Sequence, residues 1–274
     1  MKSRIIVALI GIPILIFVIL FGGIPLLIFT NFVVGIGTWE FYRMIEHSGR
    51  RVHKYVGMLA SLALPNYIFW TQGQKVEGEI AILVFAMVLM FLERVFTNRI
   101  EHASTEIGNT VLGLIYVSYF FSHILKWSFW DNGGQLILLL QIMVWSCDSF
   151  AYFIGISIGR KIFKRGFTEI SPKKSIEGSL GGILCTILAA YLLLKYFTLF
   201  LAQTQEELLI FSLILGVGVS LAAQIGDLVE SLFKRECGIK DSGKILAGHG
   251  GILDRFDSMI FVLPIMYYIM GAVL

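Results

Sequence analysis

The amino-acid sequence predicts an all-α integral membrane protein with about nine transmembrane helices. Apolar residues make up 57% of the chain and charged residues 15%, whereas soluble domains average about 45–50% and about 25%. The mean hydropathy is +0.80. The charged residues are also grouped, with long uncharged stretches between the groups. The hydrocarbon interior of a membrane favours such stretches, because an isolated charge is costly there. A net charge of +3 without a basic tail gives no indication of nucleic-acid binding.

Nine apolar segments are long enough to cross a bilayer, which takes about 20 helical residues. The first segment is preceded by Lys2 and Arg4, as is the apolar part of a signal peptide. No clear cleavage site of small residues follows it, so we expect this helix to be retained. The second begins directly after Gly22 and Gly23, and the fourth contains the uninterrupted apolar run Ile80–Phe91. The predicted spans are residues 4–21, 24–42, 55–71, 79–96, 106–127, 134–158, 180–201, 207–230 and 256–273.

The distribution of Lys and Arg predicts the orientation of these spans, because cytoplasmic loops are enriched in both. The N-terminal end and the connections after spans two, four, six and eight hold 19 of the 22 basic residues, which leaves Lys75, Lys126 and Lys195 on the other side. This asymmetry predicts a cytoplasmic N-terminus and an external C-terminus in the cell (inner or plasma) membrane. We expect about five helices in residues 1–130, and about four in a C-terminal catalytic region, 131–274, with cytoplasmic loops 159–179 and 234–255.

Two of the predicted spans carry acidic residues, which in hydrocarbon usually face a partner or a wet cavity. Asp148 lies twelve residues before Arg160, roughly 18 Å along a helix and so below the cytoplasmic surface. A hydrogen bond between helices or a buried ion pair would also explain it. Asp227, either Glu230 or Ser231, and Lys234 fall on one face of span eight, which we expect to be wet. Small residues precede Asp227 and let a ligand approach the backbone.

The segment 231–258, between spans eight and nine, has the composition of a metal and phosphate site. Glycine N–H groups converge on phosphate oxygens, Lys and Arg neutralise phosphate charge, and carboxylates hold Mg²⁺. Asp254 and Asp257, three residues apart, are expected to begin the ninth helix on one face, where the positive end of the helix dipole favours anions. His249 alone is uninformative, since no second His or Cys stands at metal-ligand spacing. The segment contains Lys234, Arg235, Lys240, Lys244, Arg255, Asp241, Asp254, Asp257 and glycines 238, 243, 248, 250 and 251.

A second basic patch, residues 159–178, follows span six. Its cations would bind anionic headgroups or nucleotide phosphates under one interpretation. Under the other, they set the topology and contact anionic lipid. The residues alone leave both interpretations open. The cations are Arg160, Lys161, Lys164, Arg165, Lys173 and Lys174.

The segment Ser231–Asp257 resembles the signature of the phosphatidate cytidylyltransferases, also called CDP-diacylglycerol synthases. Ala247 stands where that family usually has Pro or Gly, a departure that removes no charge. Residues 148–155 and 171–178 are also similar to the family, although Ser175-Ile176 replaces its usual Thr-Trp. The resemblance covers about residues 148–258. In this chain the signature reads Ser231-x-x-Lys234-Arg235-x4-Lys240-Asp241-x-Gly243, Leu246, then His249-Gly250-Gly251-Ile252-x-Asp254-Arg255-x-Asp257.

The resemblance implies transfer of a cytidylyl group from CTP to phosphatidate, giving CDP-diacylglycerol and pyrophosphate. Asp227 and Asp254 would then hold Mg²⁺, beside a second cation such as K⁺, with Asp148 and Asp257 as auxiliary ligands. Both reactants are polyanions, so positioning and charge neutralisation dominate catalysis. The implied catalytic residues are Asp227, Lys240, His249, Asp254, Arg255 and Asp257. The implied CTP and phosphate contacts are Lys173, Lys174, Lys234, Lys244, Gly250 and Gly251.

Other functions fit the sequence less well. The CDP-alcohol phosphatidyltransferases consume CDP-diacylglycerol, but their DGxxAR…GxxxDxxxD pattern is absent here. A cytidylyltransferase acting on another lipid phosphate, such as an isoprenoid ether lipid, stays compatible with these residues. A secondary transporter would also bury acids, but it would need discontinuous helices near the midplane, and we see no inverted repeat. A hydrophobic protein of this kind is also a candidate homodimer, although no residue requires it.

Overall fold

A computed structural model of the chain describes residues 2–163, 166–197, 204–243 and 250–273. Within these ranges the regular secondary structure is helical, as the sequence predicts, and the only β-type pairing among them is an isolated bridge between Gly166 and Ser175. A π-helical stretch, Leu114–Tyr119, joins α5 to α6. The helices are α1 Lys2–Phe21, α2 Gly23–His47, α3 Lys54–Trp70, α4 Val76–Thr97, α5 Ala103–Gly113, α6 Phe120–Ser128, α7 Gly133–Ile158, α8 Ile176–Phe197, α9 Gln205–Glu236 and α10 Leu253–Val273.

Seven of the described helical segments are long and apolar enough to cross a membrane. They are α2, α4, the continuous segment Ala103–Ser128 that contains α5 and α6, and α7 to α10. In the remaining two predicted spans, α1 contributes the shorter apolar stretch Leu9–Phe21, and α3 has 17 residues. The prediction of an all-α protein with several transmembrane helices is therefore confirmed.

The chain folds as two compact units. The first, here the N-terminal unit, comprises Met1–Gly134 together with Lys234–Phe256. The second, the C-terminal unit, comprises Gln135–Phe233 and Asp257–Leu274. The described residues of the signature segment from Lys234 to Phe256 therefore pack with the N-terminal helices.

Large side chains of α2, α3 and α6 build the core of the N-terminal unit. Phe41, Tyr42 and Phe121 are at most 1% exposed. The Tyr42 hydroxyl donates a hydrogen bond to the carbonyl oxygen of Thr110 at 2.9 Å, which satisfies its polar end inside the core. The Phe121 ring packs edge-on against Phe256 at 5.4 Å between centroids, so the first turn of α10 is anchored in this unit.

A buried ion pair joins α4 to α6 in the same unit. The Lys126 ammonium lies 2.7 Å from Oε2 of Glu79, and the two side chains are 2% and 0% exposed. Glu79 lies in the first turn of α4 and Lys126 in the last turn of α6. Removing either partner would leave an uncompensated buried charge, so the pair fixes these two helix ends together.

Small residues bring the helices of the C-terminal unit into close contact. A Cβ atom on Gly182 of α8 would lie 3.1 Å from Cβ of Ala151 in α7. A Cβ atom on Gly226 of α9 would lie 2.6 Å from the carbonyl oxygen of Asp257 in α10. Such contacts are the usual way in which membrane helices pack closely. They hold α8 against α7, and α10 against α9 beside Asp227 and Asp257.

Candidate active site

Three carboxylates of the C-terminal unit form a group that we call the carboxylate cluster: Asp148 of α7, Asp227 of α9 and Asp257 of α10. Asp148 is close enough to the other two to interact with the charge of both. It is exposed, whereas Asp257 is half-buried and the Asp227 side chain is 32% exposed. The Ser231 hydroxyl lies 3.4 Å from Oδ1 of Asp227. Because like charges at this proximity repel, the cluster favours a bound cation.

Lys174 supplies positive charge to the carboxylate cluster. Its ammonium group donates a hydrogen bond to Oδ2 of Asp227 and also interacts with the charge of Asp148. This contact places one cation of the basic patch at the carboxylate cluster. Lys173 beside it is exposed.

The loop between α7 and α8 is folded by its own hydrogen bonds so that Lys174 reaches Asp227. The carboxylate of Glu177, in the first turn of α8, accepts the backbone N–H groups of Ile162 and Phe163 at 3.0 and 2.8 Å. The N–H of Phe167 donates to the carbonyl oxygen of Lys174 at 2.9 Å. These bonds close the loop on itself. Lys164 and Arg165 lie outside the described residues.

Ser175 shows that one departure from the family pattern is compatible with this loop. Its hydroxyl accepts the N–H of Gly178 at 3.1 Å and so caps the N-terminus of α8. A threonine, usual in the family at this position, has the same hydroxyl and would cap the helix in the same way.

Asp254 lies in a second group, in the N-terminal unit, that we call the signature-loop cluster: Lys234, Ser242, Gly251 and Asp254. Oδ2 of Asp254 accepts the N–H groups of Gly251 and Ser242 at 2.7 and 3.0 Å and the Ser242 hydroxyl at 2.9 Å. Oδ1 lies 2.8 Å from the Lys234 ammonium. The Asp254 side chain is only 8% exposed. Its carboxylate therefore folds the described parts of the signature segment around the start of α10.

Glu40 of α2 also binds the described part of the signature segment. The prediction of site residues from the sequence did not include it. Its side chain is fully buried, and Oε2 accepts the N–H of Leu253 at 2.9 Å. A Cβ atom on Gly243 or Gly251 would overlap the Glu40 carboxylate, which explains the need for glycine at both positions. The available signal is that Glu40 is the one charged residue of the predicted span 24–42. Such a residue in a membrane span indicates a specific partner.

The remaining predicted residues differ in how the structure places them. Lys240 and Arg255 are exposed. Gly250 has φ +81°, and a Cβ atom there would lie 2.6 Å from Oδ2 of Asp254, so both backbone and space require glycine. The N–H of Gly251, a predicted phosphate contact, donates to Asp254 in this structure.

The expectation of a wet face on α9 is wrong at Glu230, whose side chain is fully buried. Periodicity places Glu230 near Asp227 on the helix surface, but it does not say which neighbour covers a given turn. His249 and Lys244, two further predicted site residues, lie outside the described residues, as does Ala247.

The carboxylate cluster fits the donor chemistry of Mg²⁺. Among the described residues, no group of three or more His, Cys, Asp or Glu side chains is arranged to hold a metal ion by itself. Mg²⁺ does not need one, since it prefers oxygen ligands, keeps several waters and takes others from substrate phosphates. The Lys174 ammonium bound to Asp227 shows that this carboxylate already attracts a cation.

Comparison with known proteins identifies the family. Residues 2–273 match the Cytidylyltransferase family. The chain belongs to the cytidylyltransferase family. Among its relatives in this family, a phosphatidate cytidylyltransferase of Bacillus subtilis strain 168 is 31% identical over 276 residues, covering 99% of this chain and 98% of the relative.

Further cytidylyltransferase relatives extend the comparison. A phosphatidate cytidylyltransferase of Staphylococcus aureus strain COL is 32% identical over 277 residues, covering 97% of each chain. One from Staphylococcus epidermidis strain RP62A is 34% identical over 216 residues, covering 77% of each chain. The motifs of the sequence showed resemblance to the family over about residues 148–258. The similarity to these relatives also includes the helices before residue 148.

Proposed function

We propose that this cytidylyltransferase transfers a cytidylyl group from CTP to phosphatidate, giving CDP-diacylglycerol and pyrophosphate. The observation that carries the proposal is the similarity, along almost the whole chain, to relatives named phosphatidate cytidylyltransferases. The carboxylate cluster and Lys174 supply side chains that would bind the metal ion and the phosphate groups in this reaction. Phospholipid biosynthesis is the process in which such an enzyme would act.

In the proposed reaction a phosphatidate oxygen attacks the α-phosphorus of CTP. A new P–O bond forms, the bond between the α-phosphorus and the β-phosphate oxygen breaks, and pyrophosphate leaves. The attacking phosphate is already anionic, so no strong general base is needed. The protein then contributes mostly positive charge and positioning. The chain's candidates for this work are Lys174 and Lys234, the exposed Lys173, Lys240 and Arg255, and, outside the described residues, Lys244 and His249.

We further propose that Asp227 holds Mg²⁺, with Asp148 and Asp257 beside it and a second cation such as K⁺ in the same region. When bound, the metal would neutralise phosphate charge. The ion pair between Lys174 and Asp227 supports a coupled role: a cation on Asp227 releases the Lys174 ammonium to bind a phosphate. A metal bound to Asp254, the other predicted ligand, would have to displace Lys234 from Oδ1.

We propose nine crossings, with the N-terminus and the active site on the cytoplasmic side and the C-terminus outside. Helix α3, with 17 residues, is at the short end of the length that spans hydrocarbon, about 17–25 residues. If α3 did not cross, the basic residues Arg50 and Arg51 before it and Arg99 after α4 would lie on opposite sides. A crossing α3 keeps all of them in the cytoplasm, as the positive-inside rule favours.

The test is turnover by purified protein in detergent with CTP, phosphatidate and Mg²⁺. We expect CDP-diacylglycerol and pyrophosphate in equal amounts. A transporter would need a sealed compartment, so turnover in micelles also excludes that alternative as the explanation of the buried acids. If an isoprenoid ether lipid phosphate is used and phosphatidate is not, the cytidylyltransferase class holds and the proposed substrate is wrong. Size-exclusion chromatography with light scattering tests the predicted homodimer.

A further inference from the structure

The N-terminal unit contains a polar cavity of about 800 Å³ that we call the arginine cavity. It is formed where the end of α2, the end of α4 and the start of α5 meet. Its charged lining includes Arg51, Arg94 and Arg99 together with Glu46 and Glu106. No member of the carboxylate cluster or of the signature-loop cluster lines it, so the proposed reaction does not explain it.

A network of buried, charged side chains holds the lining of the arginine cavity in place. Arg94 is 7% exposed and pairs with Glu106. His53, with 1% of its side chain exposed, lies with Nδ1 at 2.7 Å from Oε2 of Glu93 and Nε2 at 3.8 Å from Oε1 of Glu106. Arg94 also donates to the carbonyl oxygen of Arg99 at 3.4 Å, which fixes the loop after α4. Burying charged side chains costs free energy. We therefore expect the cavity surface that these side chains hold in place to have a function.

Two arginines of the cavity are available to a ligand. Arg51 and Arg99 are exposed, and within the described residues neither forms an ion pair. The lining holds three arginines and three glutamates, of which Arg94 is paired with Glu106 and Glu46 is paired with Lys54 at 2.9 Å. Arg51, Arg99 and Glu101 remain, which leaves an excess of one positive charge at the exposed rim.

Exposed apolar residues continue from the arginine cavity along α4. Val95, Phe96 and Ile100 are 68%, 79% and 88% exposed, and Ile100 itself lines the cavity. Over the apolar window of α4 only 17% of the residues are buried inside the protein. A ligand with a charged head and an apolar tail would match both surfaces, since its tail lies on α4 where lipid is expected.

We propose that the arginine cavity binds the phosphate-bearing headgroup of an anionic membrane lipid. Arg51 and Arg99 contact the phosphate, because a guanidinium group binds phosphate oxygens through two parallel N–H donors. Arg94 and Glu106 form the fixed floor, and the acyl chains lie along Val95. This lipid is bound there and not transformed.

The test measures lipid retention by native mass spectrometry, using full-length protein in phosphatidylcholine nanodiscs doped with phosphatidylglycerol. We expect Arg51→Gln/Arg99→Gln to bind phosphatidylglycerol at least about tenfold more weakly than the unchanged protein, since charge-assisted hydrogen bonds are lost. A matched control, Lys75→Gln/Lys195→Gln, removes two exposed charges elsewhere and should retain lipid normally. Equal retention by the arginine variant and the unchanged protein would overturn the proposal.

A second arm separates a lipid from dissolved phosphate. Inorganic phosphate is titrated into the phosphatidylglycerol nanodiscs, and we expect it to leave the retained lipid unchanged at millimolar concentration. If phosphate displaces the lipid through Arg51 and Arg99, the ligand is a free anion and the lipid proposal fails. The single variant Arg99→Gln, at an exposed position, repeats the comparison should the double variant unfold, with a smaller loss expected. Because no turnover is measured, a failure here is distinct from a failure of the proposed reaction.

Discussion

Asp227 is the side chain on which the proposed chemistry depends most, because its carboxylate, in the carboxylate cluster, holds the Lys174 ammonium. Replacing it by asparagine keeps its shape and removes its charge. We expect Asp227→Asn to lower the rate of CDP-diacylglycerol formation at least about a hundredfold, the size seen when one transition-state electrostatic contact is lost. The measurement is the rate in detergent as a function of Mg²⁺ concentration.

The matched control for that change is Asp131→Asn, which alters an exposed carboxylate in the connection between α6 and α7. It should leave both the rate and the Mg²⁺ dependence unchanged. If Asp227→Asn behaves like this control, the carboxylate cluster does not bind the metal.

Glu40 gives a prediction of a different kind, because it acts through the loop that it holds. In Glu40→Gln an amide that both donates and accepts replaces an acceptor facing the Leu253 N–H. A mispaired buried polar group costs about 1–3 kcal/mol, so we expect a lower free energy of unfolding by that amount. We also expect kcat to fall more than KM rises, since the signature segment is positioned less well.

Glu77→Gln serves as the control for Glu40→Gln, because Glu77 is an exposed acid in the first turn of α4. It should change neither the thermal midpoint nor the kinetics. A Glu40→Gln protein with a lower thermal midpoint but unchanged kcat would mean that Glu40 serves stability alone.

At the scale of elements, the close passage of α9 by α10 depends on Gly226. In Gly226→Ala the new methyl group meets the Asp257 carbonyl oxygen, which is backbone and cannot rotate away. We expect the two helices to separate, with a loss of about 1–3 kcal/mol in the free energy of unfolding. Activity should fall as well, because Asp227 and Asp257 are displaced from each other.

Gly108→Ala provides the comparison, because Gly108 lies within α5 and no neighbouring atom comes within 4 Å of the place that the new methyl group would occupy. That change should be neutral or stabilising, since alanine favours helix by about 1 kcal/mol over glycine. Equal effects of the two substitutions on stability and rate would contradict the packing argument. Thermal unfolding in detergent and the turnover assay measure both.

The elements also show how far the sequence alone was informative. Apolar length predicted the helices, and charge in a span drew attention to Asp148 and Asp227. The same rule applied to α2 would have found Glu40. Local periodicity did not predict that Lys234 pairs with Asp254, twenty residues away, or that Lys174 reaches Asp227 across 53 residues. Such partners depend on how helices are packed, which spacing along one helix does not contain.

At the scale of the whole molecule, the proposed topology makes a prediction about access. We expect a membrane-impermeant maleimide applied to intact cells to label Gln74→Cys, between α3 and α4, and not Ser48→Cys, between α2 and α3. Both positions are exposed, and both reporters are placed in a protein whose three cysteines are replaced. The physical reason is that α3 crosses and separates the two loops.

Permeabilised cells provide the control for that experiment, because both reporters should then be labelled. If neither site is labelled in intact cells and both are labelled after permeabilisation, α3 does not cross. The basic loops after α4 would then lie outside, which the positive-inside rule disfavours.

The buried pair of Glu79 and Lys126 has a consequence for how the protein is made. The two residues are separated by 47 positions, so Glu79 is synthesised well before its partner. Until α6 arrives, α4 would carry an unpaired carboxylate at its end, and that charge favours a shallow position at the membrane surface. Full insertion of α4 is thus expected to wait for α6, which makes the order of helix integration differ from the order of synthesis.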